Sequence, residues 1–192
     1  EFETYWNSHE FVPFDPNEPG RFREAISSAK RRREAPGMMF FADLRPHPFQ
    51  ERILESLKVE REVHGHFKNL IVAATGTGKT VVSAFDYARF RREAEKEGRS
   101  ARLLFVAHRK EILEQSVGCF RAVLRDMNFG ELQVDQYQAA NYDHLFCSNL
   151  RLRNLRLWEK LGPDFFDFII VDEVHHGAAE SYRDIFEQFR PK

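Results

Sequence analysis

Eight consecutive residues, Ala73-Ala74-Thr75-Gly76-Thr77-Gly78-Lys79-Thr80, carry the most specific chemistry in the chain. Gly76 and Gly78 let the backbone curl so that successive N–H groups converge on one anion. A helix expected from Lys79 onward adds the partial positive charge of its N-terminus. Lys79 can reach the outer phosphates of a polyphosphate, and the Thr80 hydroxyl can ligate Mg²⁺. Thr75 and Thr77 complete the loop. The widest form of this pattern has glycine where Ala73 stands, so the match departs from it there. A glycine-rich turn that binds nothing is the bland alternative. The strand expected before the loop and the helix expected after it argue against that alternative.

A second cluster lies downstream. Phe168-Ile169-Ile170-Val171 runs straight into Asp172-Glu173-Val174-His175-His176. The C-terminal end of a buried strand is where an open α/β sheet binds ligands. Neighbouring strand residues face opposite sides, so the two carboxylates should do different work. Asp172 is expected to hold Mg²⁺, directly or through water, and Glu173 to orient and deprotonate an attacking water. Alone, Asp-Glu is an ordinary acidic turn; the phosphate loop upstream gives it meaning. His175 and His176 lack the helical His-Glu-x-x-His spacing of a zinc site, with Glu173 or with His64 and His66. His175 is expected to hydrogen-bond across the cleft, coupling its two sides, and His64 and His66 to lie in a loop.

These residues need elements to position them, and from Leu44 the pattern alternates between helices and strands. Residues 48–63 read as a helix with Phe49, Ile53, Leu54 and Leu57 inward, and residues 69–75 as a buried strand. A helix over 79–96 carries Val81, Ala84, Phe85 and Ala88 on one face, with Gly98 as a stop. Residues 102–108 form the next strand. Residues 110–125 form a helix aligning Leu113, Val117, Phe120 and Leu124. Short strands follow at 144–148 and 166–172, then a helix at 181–189 with Tyr182, Ile185, Phe186 and Phe189. Strands apolar on both faces and separated by helices predict a parallel sheet covered on both sides, a three-layer α/β/α domain over residues 44–192.

Residues 1–43 differ. Aromatics such as Tyr5, Trp6, Phe11 and Phe14 crowd there, and Pro13, Pro16, Pro19 and Pro36 interrupt long elements. Residues 1–20 read as an extended arm and 21–33 as a helix with Phe22, Ile26 and Ala29 on one face. Its basic end, Lys30 to Arg33, suits a solvated helix C-terminus as well as a phosphate contact.

Composition bounds the rest. The 192 residues fit one domain with an appendage, and 42% apolar against 31% charged residues supports a packed core. No apolar run reaches the ~18 residues of a membrane span, and no secretory signal opens the chain. Two cysteines, Cys119 and Cys147, allow neither a disulfide framework nor a four-cysteine metal site, and a reducing cytoplasm is the expected location. A net charge of −1 means that any nucleic-acid surface must be a local patch. The first residue is Glu, so the sequence reads as a piece of a longer chain.

At these motifs the chain resembles the superfamily-two DEAD/DEAH-like helicases, most closely the helicase subunit of type III restriction enzymes. The four-letter box is Asp172-Glu173-Val174-His175, and the loop fits the A-x-T-G-x-G-K-T form, in which Ala73 is the expected residue. Leu44-Arg45-Pro46-His47-Pro48-Phe49-Gln50 looks like the element that precedes the loop in that superfamily. The resemblance implies ATP with Mg²⁺ as ligands, with Arg45 and Gln50 on the nucleotide and Gln50 reading the adenine edge. Phe105-Val106-Ala107-His108-Arg109 looks like the motif that meets the nucleic-acid backbone, and residues 144–149 loosely match the next one. Arg109, Ser148 and Asn149 would then hold phosphates of one strand. DNA is the implied partner, with RNA not separated by these motifs; a nucleotide-dependent switch without unwinding is the other alternative.

The resemblance further implies a RecA-like first motor domain that works against a second one bearing arginine fingers, so residues 1–192 alone should hydrolyse ATP very slowly. Some relatives carry a nuclease module upstream, followed by a stretch like Tyr5-Trp6-Asn7-Ser8. No Ser/Thr-Ala-Thr motif follows Asp172 in this sequence. The sheet is therefore expected to stop short of the strand that follows the acidic box, leaving residues 69–75 and 166–172 unbonded to each other.

Overall fold

A computed structural model describes residues 44–173 and 179–191. Six helices and four strands follow in the order α1 (Pro48–Glu62), α2 (Lys79–Lys96), β1 (Leu103–Ala107), α3 (Lys110–Leu124), β2 (Glu131–Gln133), β3 (His144–Ser148), α4 (Asn149–Asn154), α5 (Leu157–Leu161), β4 (Phe168–Val171) and α6 (Ala179–Gln188). The expected arm, the helix at 21–33 and His175 lie outside the described residues.

The strands form one parallel sheet in the order β2-β3-β1-β4. All five residues of β1 are buried, because it is paired on both edges and covered on both faces. The period of two sorts its side chains. Leu103, Phe105 and Ala107 pack with Ala84 and Tyr87 of α2, with Leu113, Val117 and Phe120 of α3, and with Phe129 and Phe146. Leu104 and Val106 face the other way, toward Leu145, Cys147, Leu152, Leu157, Phe166 and the α6 residues Tyr182 and Ile185. The result is the three-layer α/β/α arrangement the alternation predicts. The free cysteines belong to these layers: burial pushes the Cys119 thiol up to about 11 and the Cys147 thiol up to about 12, which leaves both as unreactive thiols.

Several local expectations are corrected. Residues 69–75 join no strand, and Leu70 and Val72 are 80% and 88% exposed. A strand needs a ladder partner, and the outer edge of β4 pairs with nothing among the described residues. The same fact makes β4 half-buried where a buried strand was expected. No ladder joins residues 69–75 to 166–172, but not for the expected reason of a missing strand between two formed ones: residues 69–75 form no strand. On α2 the buried residues are Val82, Ala84, Asp86, Tyr87 and Ala94, while Val81, Phe85 and Ala88 are only partly covered. Phe186 of α6 faces solvent.

Candidate functional site

The phosphate loop is shaped by local bonds. Gly76 and Gly78 have φ of +82° and +76°, the left-handed region that favours glycine. A turn closes when Thr77 donates to the Ala74 carbonyl, through its N–H at 3.4 Å and its Oγ1 at 2.8 Å. Lys79 Nζ donates to the carbonyls of Ala73, at 3.1 Å, and Ala74, at 3.4 Å. The ammonium thus lies across the loop, half-buried.

Gln50 clasps the loop from α1. It is buried, its Nε2 donates to the Thr77 carbonyl at 3.0 Å, and its Oε1 accepts from the His47 N–H at 2.9 Å. A Cβ at Gly78 would stand 2.6 Å from Gln50 Nε2, so a larger residue there, strained already by its φ, would displace the Gln50 amide. Both ends of the amide are thus engaged within the protein; its observed work is to hold the loop. Arg89 of α2 reinforces the α1–α2 contact through Glu51 at 3.1 Å and Glu55 at 2.8 Å. Arg61 and Asp86 pair bidentately between the same helices at 2.7 and 2.5 Å. Arg45 is exposed.

Gly78 caps α2 without a side-chain hydrogen bond, and the first turn holds no acidic residue. The amides that open a helix have no intrahelical carbonyl to bond. No carboxylate of that first turn competes for them, and the dipole favours a negative charge there. That is the observation that fits a phosphate. Thr80, in the first turn, and Asp172 offer the hard oxygen donors that suit Mg²⁺.

The acidic end is held by the sheet. The Asp172 N–H donates to the Val106 carbonyl at 2.8 Å, extending the β4–β1 ladder by one bond. Asp172 Oδ1 accepts from the Glu173 N–H at 2.9 Å. Glu173 adopts φ +54°, unusual for a glutamate. Burial, and then the neighbouring Glu173 and Asp172 charges, push the Tyr182 phenol up from its ordinary value. Glu173 Oε2 lies 3.1 Å from Nδ1 of His108, just beyond β1.

The register Ala107↔Ser148 and Val106↔Val171 brings Arg109, Ser148, Asn149, Asp172 and Glu173 to one edge of the sheet. Arg109 is exposed there, as a backbone contact would require. Ser148 and Asn149 are buried, and the Ser148 hydroxyl caps α4 by accepting from the Arg151 N–H at 3.3 Å. Sequence reasoning missed the Glu173–His108 contact. The signal was faint: both residues follow buried strands by one or two positions, but nothing local says that those strands are neighbours.

Comparison with known proteins places this geometry. The family described as "Type III restriction enzyme, res subunit" matches over residues 43–192. The chain is 31% identical over 147 residues to the "Putative mitochondrial ATP-dependent helicase irc3" of Schizosaccharomyces pombe, which covers 76% of this chain and 23% of that protein. A crystal structure of a hypothetical ATP-dependent RNA helicase from Sulfolobus tokodaii shares the fold with a TM-score of 0.55 at 21% identity, covering 86% of this chain and 46% of that one. The Type ISP restriction-modification enzyme LlaGI, as a nuclease-deletion mutant with a DNA substrate mimic, shares it with a TM-score of 0.51 at 18% identity, over 71% of this chain and 16% of that one. The chain spans between 16% and 27% of the length of the curated relatives it matches.

Proposed function

The chain belongs to the type III restriction enzyme res-subunit family, and we propose that residues 44–192 form the first motor lobe of an ATP-dependent DNA helicase or translocase. The observation that carries this reading is the uncapped start of α2 behind a loop clasped by Gln50. In this reading the backbone of residues 75–80 and the Lys79 ammonium hold the ATP phosphates. Thr80 and Asp172 would hold Mg²⁺, which when bound neutralises charge on the outer phosphates. Glu173 takes the proton of the attacking water. Arg109 positions one strand through its backbone, which carries no sequence information.

The family description and the DNA-bound LlaGI relative support DNA as the track. The relative named as an RNA helicase supports RNA as the alternative. Comparing ATPase stimulation of the full-length protein by single-stranded DNA and RNA of equal length decides between them. The nucleotide assignment itself is tested by Lys79→Ala. Titrating ATP into both proteins should show affinity reduced by about 10- to 100-fold, the worth of hydrogen bonds to a charged group. The melting temperature should hardly change, because both bonds Lys79 makes are local to the loop, six and five residues back along the chain. Equal affinities would refute the assignment.

A further inference from the structure

The two short helices after β3 leave a groove between them. Leu150, Arg153 and Asn154 fall at i, i+3 and i+4 and so share one face of α4. Arg156 adopts φ +46°, and this left-handed turn joins α4 to α5. Leu152 and Leu157 are fully buried and anchor the two helices in the core. What remains outward is an open groove of about 410 Å³ lined by Leu150, Arg153, Asn154, Arg156 and Trp158. Trp158 also packs against the core that holds Leu152 and Leu157, which steadies its indole in the groove wall. Leu150 is 69% exposed. The charge here is one-sided: residues 149–162 hold Arg151, Arg153, Arg156 and Lys160 against the single carboxylate of Glu159, in a chain whose net charge is −1. Glu159 meets Arg156 at Nη1, 3.1 Å away, but the Arg156 side chain is 68% exposed and a guanidinium carries five N–H donors.

We propose that this groove binds single-stranded nucleic acid, as a second contact on the strand beyond Arg109. This rests on the reading of the chain as a strand-binding lobe. A cationic groove with an aromatic wall offers the two things a single strand presents: a charge for its phosphates and a flat face for its bases. Arg156 takes a phosphate and Trp158 stacks a base, while the exposed Leu150 lies beside the sugar. The position agrees. Ala107 of β1 pairs with Ser148 of β3, and Arg109 and Leu150 each lie two residues further on, so the groove opens at the sheet edge where Arg109 stands. A strand that meets Arg109 continues into it. Phosphate contact and stacking carry little base identity, so the groove adds affinity without adding sequence preference. It is also the kind of local basic patch that a chain of net charge −1 needs for such a ligand.

The test is the affinity of the full-length protein for a fluorescent thymidine oligonucleotide, read by anisotropy across a salt series. Arg156→Gln should weaken binding by about 10-fold, the lower end for a hydrogen bond to a charged group. It should also reduce the slope of log affinity against log salt by about 0.7, the share of one phosphate on a single strand. Trp158→Ala should weaken binding by about 5- to 150-fold, the worth of one stacked base, and Trp158→Phe should keep most of it. An unchanged affinity and salt slope in Arg156→Gln would overturn the proposal. Because Trp158 also packs on the core, Trp158→Ala may not fold, and hydroxyl-radical footprinting of the wild-type protein then decides. Trp158 should be oxidised without the oligonucleotide and protected with it. Oxidation unaffected by bound oligonucleotide would overturn the groove. So would protection before any is added, since another segment of the protein would then be its occupant. If Arg109→Ala weakens binding while Arg156→Gln does not, the groove alone fails. If the wild-type protein binds no oligonucleotide, the strand-binding reading and the groove fail together.

Discussion

The two halves of the proposed nucleotide site are held by different means. The acidic end is an extension of the sheet: β4 is bonded to β1, and even Asp172 continues that ladder. The phosphate loop has no ladder. Its approach, residues 69–74, is in no strand, and its shape rests on Gln50, Lys79, the Thr77 turn and two glycines. An apolar run therefore becomes a strand only where a partner edge exists, whereas a loop with enough internal bonds keeps its form without one. Geometry at the acidic end should be robust to substitution. Geometry at the loop should depend on a few side chains.

The sharpest way to break this contrast is Glu173→Gln. The ladder fixes the backbone, and the amide keeps the shape while losing the base. In the full-length protein ATP should remain bound while hydrolysis falls by about 10²- to 10⁴-fold, the usual worth of a general base. A residual rate within about threefold of wild type would mean that another group activates the water, and that the acidic end is not the reacting half.

A second test compares two valines of the same intrinsic preference. Val106 is fully buried at the centre of the sheet, and Val72 is 88% exposed. Val106→Ala should cost roughly 2–3 kcal/mol from lost transfer energy and a residual cavity. Val72→Ala should stay within about 0.5 kcal/mol, as for a surface site. Urea melts of both variants of this chain provide the measurement. If Val72→Ala cost as much as Val106→Ala, residues 69–75 would be packed in solution and the contrast would fail.

The same distinction explains what was legible in the sequence. β1, β3, α2 and α3 were readable to within a residue or two because local pattern and tertiary partner agree there. Residues 69–75 have the pattern of a buried strand and no partner, so the pattern misled. The face of α2 was misjudged because Asp86 is buried by its bidentate pair with Arg61, and hydrophobic periodicity does not foresee a buried charge on the packed side. β2 has three residues, Glu131-Leu132-Gln133, too few to show a period. α4 was missed although Ser148 is a good N-cap, because that serine was read as a phosphate ligand. The phosphate loop and acidic box were legible as chemistry, since spacing alone defines them. The proximity of His108 to Glu173 was not, because it depends on β1 and β4 being neighbours in the sheet.

The smallest effect sharpens the comparison from the sheet side. His144 opens β3, stacks on Phe129 with ring centres 4.5 Å apart, and lies with its Nδ1 3.4 Å from the Tyr87 hydroxyl. Burial first, and then the Arg91 charge, lower its pKa from the ordinary 6.5. The folded state thus takes up this proton less readily than the unfolded state, so stability rises with pH. The contribution is present in full above about 6.5, the unfolded value, and is lost as pH falls from there toward the lower folded value. The chain should therefore melt at a lower temperature at mildly acid pH than at neutral pH. His144→Phe, which keeps the stacking ring and removes the titrating group, should lose less over the same interval. The difference between the two proteins isolates His144 from carboxylates that titrate in both. An equal acid loss in wild type and variant would show that the packed half of the molecule is not where its sensitivity to mild acid resides.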